Sequence, residues 1–238
     1  MALTKHIPNT ITSMNLLSGV LGVIFTLEGH LEWAFPLMLL AAVFDFCDGL
    51  TARLLQAYSP IGKELDSLAD LVSFGVLPSV MLYKVMPAGA PVLLRFIPIF
   101  IAAMSALRLA KFNLDERQTL DFIGLPTPSC AMVCGSLATF LNAGGGCPAG
   151  TGAWLLGLLS VILGLLLVSE VPMFGMKIKK GHRLLDAKRI AFLAVSAALL
   201  LTAVLLHWHW SLAVLSVFSF YIAENLLAAV INSCRRAA

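Results

Sequence analysis

The sequence predicts an all-α polytopic membrane protein, a transmembrane bundle of about eight helices. Three observations predict it. Apolar residues make up 59% of the 238 residues and charged residues 12%, against roughly 45–50% and 25% in soluble domains. Mean hydropathy is +0.92. Apolar stretches of about 20 residues, the length that crosses a bilayer, recur between short turn-forming stretches.

In chain order, the expected spans lie near residues 11–27, 33–56, 63–83, 91–112, 126–143, 153–172, 188–206 and 211–231. Glu28-Gly29-His30 separates the first two, Ser59-Pro60 the next two, and Pro87-Ala88-Gly89 closes the third. Leu125-Pro126, Gly144–Gly146 with Cys147-Pro148, Lys179-Lys180-Gly181 and His207–Trp210 mark the remaining breaks. The chain reads as a single integral membrane domain, 1–238, with residues 1–10 as a cytoplasmic N-terminal segment. That segment lacks the apolar core and cleavage site of a signal peptide.

An even number of spans puts both termini on one side, and the cations say which side is cytoplasmic. With the N-terminus inside, 14 of the 16 Lys and Arg residues fall on inner segments, leaving Lys84 and Arg95 outside. Trp208 and Trp210 suit an outer interfacial belt. A net charge of +3 gives no footprint for nucleic acid. Five cysteines without a CxxC pair carry no zinc or redox signature. Cys130 and Cys134, four apart on an apolar helix, read as small packing residues.

The second and third spans break the apolar rule. They carry Asp45, Asp48, Asp66 and Asp70, and an ionisable side chain inside a span costs roughly 2.5–3.5 kcal/mol on insertion scales. Spacings of three and four residues put each pair on one helix face. The turn at Ser59-Pro60-Ile61-Gly62 makes the two helices antiparallel neighbours, so all four carboxylates can converge. Oxygen ligands without His or thiolate favour Mg²⁺ or Mn²⁺, with Ca²⁺ also admitted, over zinc. Four carboxylates can hold one ion or a pair about 3.5–4 Å apart, as in displacement at phosphorus.

The surrounding residues fit a phosphate substrate. Gly49 and Ala52 leave room for a nucleotide or a facing backbone. Arg53, one turn on, can grip a phosphate bidentately or simply snorkel to the cytoplasmic interface. Gly62 serves either the turn or substrate access.

Together, Asp45-x2-Asp48-Gly49-x2-Ala52-Arg53-x8-Gly62-x3-Asp66-x3-Asp70 resembles the CDP-alcohol phosphatidyltransferase motif at every fixed position. The resemblance implies a divalent-metal enzyme that moves a substituted phosphate from a CDP-linked lipid to an alcohol and releases CMP. It implies Asp45, Asp48 and Asp66 as metal ligands, and Asp70 as the general base that also touches metal. It implies Gly49, Ala52, Arg53, Ser59 and Gly62 in the CDP site, joined by Pro8, Asn9 and Thr12 of the N-terminal Pro8–Thr12 segment. A homodimer follows from the same likeness.

Asp66–Gly75, Ala106–Asn113 and Phe122–Pro128 further resemble the membrane-embedded bacterial phosphatidylserine synthase branch of that family. The likeness covers residues 7 to about 135; beyond that it rests on hydropathy and span number. It implies CDP-diacylglycerol and L-serine as substrates, a bacterial inner membrane, and a site facing the cytoplasm. Leu50 departs from the Arg that often follows Asp-Gly in these enzymes. The nearest rival is the same chemistry with glycerol 3-phosphate or inositol phosphate as acceptor, which should demand more cations. A divalent-cation transporter is a rival of another class, but leaves Gly49, Arg53 and Gly62 unexplained.

Arg108 and Lys111, at the inner end of the fourth span, suit either acceptor binding or the positive-inside bias. The cations of Lys177–Arg189 suit topology or anionic lipid. Glu224-Asn225 is an intramembrane polar pair that lines a cavity or bonds to a neighbouring helix. His207 and His209 resemble an HxH metal pair, but sit between tryptophans as belt residues do. Glu28 and Glu32 read as solvated outer-loop charges.

Overall fold

The structure is a computed structural model that describes residues 6–115, 122–144, 147–148, 150–175 and 187–237. Ten α-helices account for nearly all of it: α1 (His6–Glu28), α2 (Leu31–Leu54), α3 (Pro60–Asp70), α4 (Leu77–Val85), α5 (Val92–Phe96), α6 (Phe100–Leu114), α7 (Thr127–Ala143), α8 (Thr151–Val168), α9 (Ala187–Leu205) and α10 (Trp210–Ala237). A π-helical turn, Leu71–Val76, joins α3 to α4, and a 3₁₀ turn, Ile97–Ile99, joins α5 to α6.

Six helical stretches among the described residues are long and apolar enough to cross a membrane: His6–Glu28, Leu31–Leu54, Pro60–Val85, Val92–Leu114, Thr151–Val168 and Trp210–Ile231. Helix α7, of 17 residues, stands where the fifth span was expected, and α9, with Arg189–Leu205 as its apolar part, where the seventh was. The first span begins earlier than expected, because the helix already includes Pro8 and Asn9. Leu17, Trp33, Phe46, Leu93 and Leu155 are exposed, as a lipid-facing surface requires. Lys177–Arg183 lie outside the described residues.

The α1–α2 connection is a tight turn at Gly29, whose φ of +95° suits a residue without Cβ. It returns α2 along α1, and both pack on the third span. There a Cβ on Gly19 would come within 2.9 Å of the Ser73 Cα, so the small residue lets two backbones approach closely. The π turn has a local cause. Pro78 has no N–H and its ring crowds the preceding turn, and the widened turn relieves that conflict. The Leu77 amide reaches back to the Val72 carbonyl, and the Ser79 hydroxyl takes the Gly75 carbonyl at 2.7 Å.

Two short strands were not expected from the sequence. β1 (Phe122–Ile123) pairs antiparallel with β2 (Pro172–Met173), Phe122 opposite Met173. Gly124, with φ +78°, follows directly, and the Gly124 and Leu125 amides donate to the Val171 and Leu166 carbonyls, each at 2.9 Å. The connection after α6 is thereby tied to the end of α8.

Candidate active site

Two helix caps set back to back make the turn between the aspartate pairs. Helix α2 ends in a Schellman arrangement: the Ala57 amide donates to the Ala52 carbonyl at 3.0 Å, and Gln56 takes the left-handed conformation at φ +50°. Helix α3 then starts at Ser59, whose hydroxyl accepts the Gly62 amide at 2.9 Å, with Pro60 in the first position. The two helices run antiparallel, and their acidic faces meet.

Asp45, Asp48 and Asp66 each offer a carboxylate oxygen within 4.8 Å of the others. Asp48 Oδ2 and Asp66 Oδ1 are buried and have no hydrogen-bond partner among the described residues. Buried polar atoms are seldom left unpaired, and an all-carboxylate donor set suits a hard divalent cation. The residues present therefore fit such an ion. Asp70 stays outside this three-residue group. It lies one turn further along α3, and the Asn15 side-chain amide donates to its Oδ1 at 3.2 Å.

A cavity of about 340 Å³ opens beside Asp48 and Asp66. Pro8, Asn9, Thr12, Gly49, Ala52, Arg53, Ser59 and Gly62 all line it. Pro8 and Thr12 lie on one face of α1, and Asn15 is the next position on that face. Nothing stands within 4 Å of where a Gly49 Cβ would be, so its backbone faces open space. At Gly62 a Cβ would come 2.9 Å from both Asn9 Oδ1 and Ser59 Oγ. That glycine thus admits the N-terminal helix as well as starting the turn. Arg53 donates from Nε to its own helix's Gly49 carbonyl at 2.9 Å, which aims the guanidinium along the cavity wall.

Sequence reasoning missed Asn15, Ala57, Tyr58 and Lys63. The last three line the same cavity. Asn15 carried a usable signal, a polar amide inside an apolar span, three residues past Thr12 on the same face.

Arg108 and Lys111 border a second cavity, of about 420 Å³, that shares no lining residue with the first. Arg108 is buried, donates to Thr127 Oγ1 at 2.7 Å, and lies over the Phe112 and Phe122 rings at 5.6 and 6.0 Å. Its Nε has no hydrogen-bond partner among the described residues. Asp70 is near enough for its charge to act on this arginine. Lys111 is exposed at the cavity rim.

The other polar residues of the sequence have simpler surroundings. Asn225 accepts the Phe174 amide at 2.9 Å, and Tyr221 donates to the Phe174 carbonyl at 3.0 Å, so α10 clamps the chain after β2. Neighbouring Glu224 has a buried oxygen without a hydrogen-bond partner among the described residues. His209 bonds Ser211 at 2.8 Å and packs on Phe140 and Trp210. Cys130 and Cys134 are buried together as free thiols. Glu32 bonds His30 at 2.9 Å in the exposed α1–α2 turn.

A site of this kind, an antiparallel helix pair carrying clustered carboxylates beside a cavity lined by Gly49, Arg53 and Ser59, defines a membrane phosphotransferase. Residues 5–168 match the family described as CDP-alcohol phosphatidyltransferase. The chain belongs to that family, which is divalent-metal dependent and transfers a phosphatidyl group from CDP-diacylglycerol to an alcohol.

Curated relatives narrow the comparison. The chain is 36% identical over 212 residues to the CDP-diacylglycerol–serine O-phosphatidyltransferase of Mycobacterium leprae, covering 85% of this chain and 69% of that one. It is 37% identical over 128 residues to the enzyme of the same name from Bacillus subtilis, covering 54% and 72%. Archaetidylserine synthase of Methanothermobacter thermautotrophicus is 35% identical over 136 residues, covering 55% and 56%.

Proposed function

We propose that this protein transfers the phosphatidyl group of CDP-diacylglycerol to the hydroxyl of L-serine, forming phosphatidylserine and CMP. The observation that carries this reading is the three-carboxylate cluster at the wall of a cavity lined by every CDP-site residue named from the motif. The names of the relatives support serine as the acceptor.

In this reading Asp45, Asp48 and Asp66, with Asp70 at the margin, would hold Mg²⁺ or Mn²⁺, as one ion or a pair. When bound, the metal neutralises the pyrophosphate and aligns it for in-line displacement. Pro8, Asn9, Thr12, Gly49, Ala52, Ser59 and Gly62 enclose the cytidine diphosphate, and Arg53 pairs with its phosphate. Asp70 takes the proton from the serine hydroxyl. The oxygen attacks the phosphorus that bears diacylglycerol, and the bond to CMP breaks. Asn15 holds Asp70 in place while this happens. Arg108, assisted by Lys111, receives the serine carboxylate, because a buried guanidinium with a free Nε is a ready partner for it.

The family likeness implies a homodimer in a bacterial inner membrane, and the distribution of Lys and Arg supports placing both termini and the site on the cytoplasmic side. Radiolabelled serine incorporation with CDP-diacylglycerol and Mn²⁺ or Mg²⁺ tests the proposal, beside glycerol 3-phosphate and inositol phosphate. Product from serine alone is expected. Product only from a phosphorylated acceptor would reassign the substrate, and metal flux without lipid turnover would favour a transporter.

A further inference from the structure

The second cavity carries charges of both signs. On the α6 side stand Arg108 and Lys111, with Asp115 just past the helix end. Across from them α8 stops at Val168, and Leu167, Val168, Ser169 and Glu170 form the other wall. The end of a helix carries partial negative charge that acts within its last turn. Glu170 adds a full one, and its carboxylate is exposed with no hydrogen bond or ion pair among the described residues. Neither cation closes onto it: no Arg108–Glu170 or Lys111–Glu170 ion pair forms among the described residues.

The fold itself keeps these charges apart. The Gly124–Val171 and Leu125–Leu166 bonds fasten the α6–α7 connection to the end of α8. The Arg108–Thr127 bond and the two flanking rings hold the guanidinium on its own side. What remains between is a pocket with Arg108, Lys111 and Asp115 on one side and Glu170 on the other. A zwitterion matches that pattern, its carboxylate toward Arg108 and its ammonium toward Glu170. An acceptor with a phosphate and no cation would face Glu170 as a like charge, which disfavours it.

We infer that Glu170 and the C-terminal end of α8 bind the ammonium group of the acceptor, making Glu170 a determinant of selectivity for an amino alcohol over phosphorylated acceptors. The inference rests on the reading of this chain as a serine transferase and names the recognition device within it.

The test measures steady-state kinetics of the purified full-length protein in nanodiscs, varying serine and CDP-diacylglycerol separately, for wild type, Glu170→Gln and Glu170→Asp. Losing a charge-assisted hydrogen bond predicts a rise in serine KM of at least about tenfold in Glu170→Gln. The lipid KM should stay near wild type, and Glu170→Asp, which keeps the charge, should recover much of the loss. An unchanged serine KM in Glu170→Gln, or an equal rise in lipid KM, overturns the ammonium site while leaving serine as acceptor. An Asp variant as impaired as the Gln variant would also count against it, because charge would not be the deciding property. Failure of wild type itself to use serine would instead overturn the parent reading.

Discussion

Asn15 donates its side-chain amide to Asp70 Oδ1 at 3.2 Å, across 55 positions of sequence. A second bond braces the same place: the Ser73 hydroxyl donates to the Asn15 backbone carbonyl at 3.1 Å. Helix α1 therefore orients the last acid of the motif, and the π turn that follows Asp70 carries the serine that fixes α1 in register. Asp70 is held differently from Asp45, Asp48 and Asp66, and its separate support suits a separate duty.

Asn15→Ala should lower kcat more than it raises either KM. The lost bond is to a charged group, worth about 1.5–3 kcal/mol, so a fall of roughly 10- to 100-fold is expected on that scale. Stopped assays with saturating serine and lipid measure it. Wild-type kcat would show that Asp70 needs no help from α1.

Asp70→Asn should abolish turnover while part of the CDP-diacylglycerol binding survives, because removing a general base commonly lowers rate 10²–10⁴-fold and an amide occupies the same space. Asp48→Ala should behave differently, losing the metal dependence of CDP-diacylglycerol binding, since its buried Oδ2 is one of the unpaired oxygens of the cluster. Isothermal titration with and without Mn²⁺ separates the two. Equal binding defects in both variants would merge the roles assigned to them.

Gly19→Ala should lower thermal stability in detergent and activity together. The new Cβ would stand within 2.9 Å of the Ser73 Cα, a backbone atom that cannot swing aside. Helix α1 must then back away, stretching the Ser73–Asn15–Asp70 chain. Overpacking of this kind typically costs about 1–3 kcal/mol. A variant with unchanged melting temperature and kcat would mean that the helix contact is softer than its geometry implies.

For orientation, single cysteines at Glu64 and Thr151 in a cysteine-free background provide the check. Both positions are exposed. Glu64→Cys should be labelled by a membrane-impermeant thiol reagent only after the cytoplasmic face is opened, and Thr151→Cys in intact cells. Labelling of both from one side would overturn the proposed topology.

Much of the site is local geometry and was therefore readable in one dimension. Asp45 with Asp48, and Asp66 with Asp70, share helix faces because helical periodicity alone puts residues three and four apart together. Ser59-Pro60 reads as a break before a span near residue 63, whereas the helix starts at Pro60 because Ser59 caps it. The Schellman stop before it was hidden, because Gln56 occupies the left-handed position where glycine is the usual signal. The two short strands were hidden too, since four residues carry no period.

By itself the sequence determined that this is a helical membrane protein, where its acids cluster, and which family motif they form. Hydropathy and within-helix spacing decide those things without any knowledge of neighbours. Only the tertiary structure decided that Asn15 braces Asp70, that three of the four aspartates group while the fourth stands apart, and that Gly62 makes room for Asn9. It alone placed Arg108 in a cavity facing Glu170 rather than among the CDP-site residues. The reason is physical. Helices apolar nearly all round carry little record of which face meets which partner, so contacts between distant spans are set by how small residues such as Gly19 let particular backbones approach.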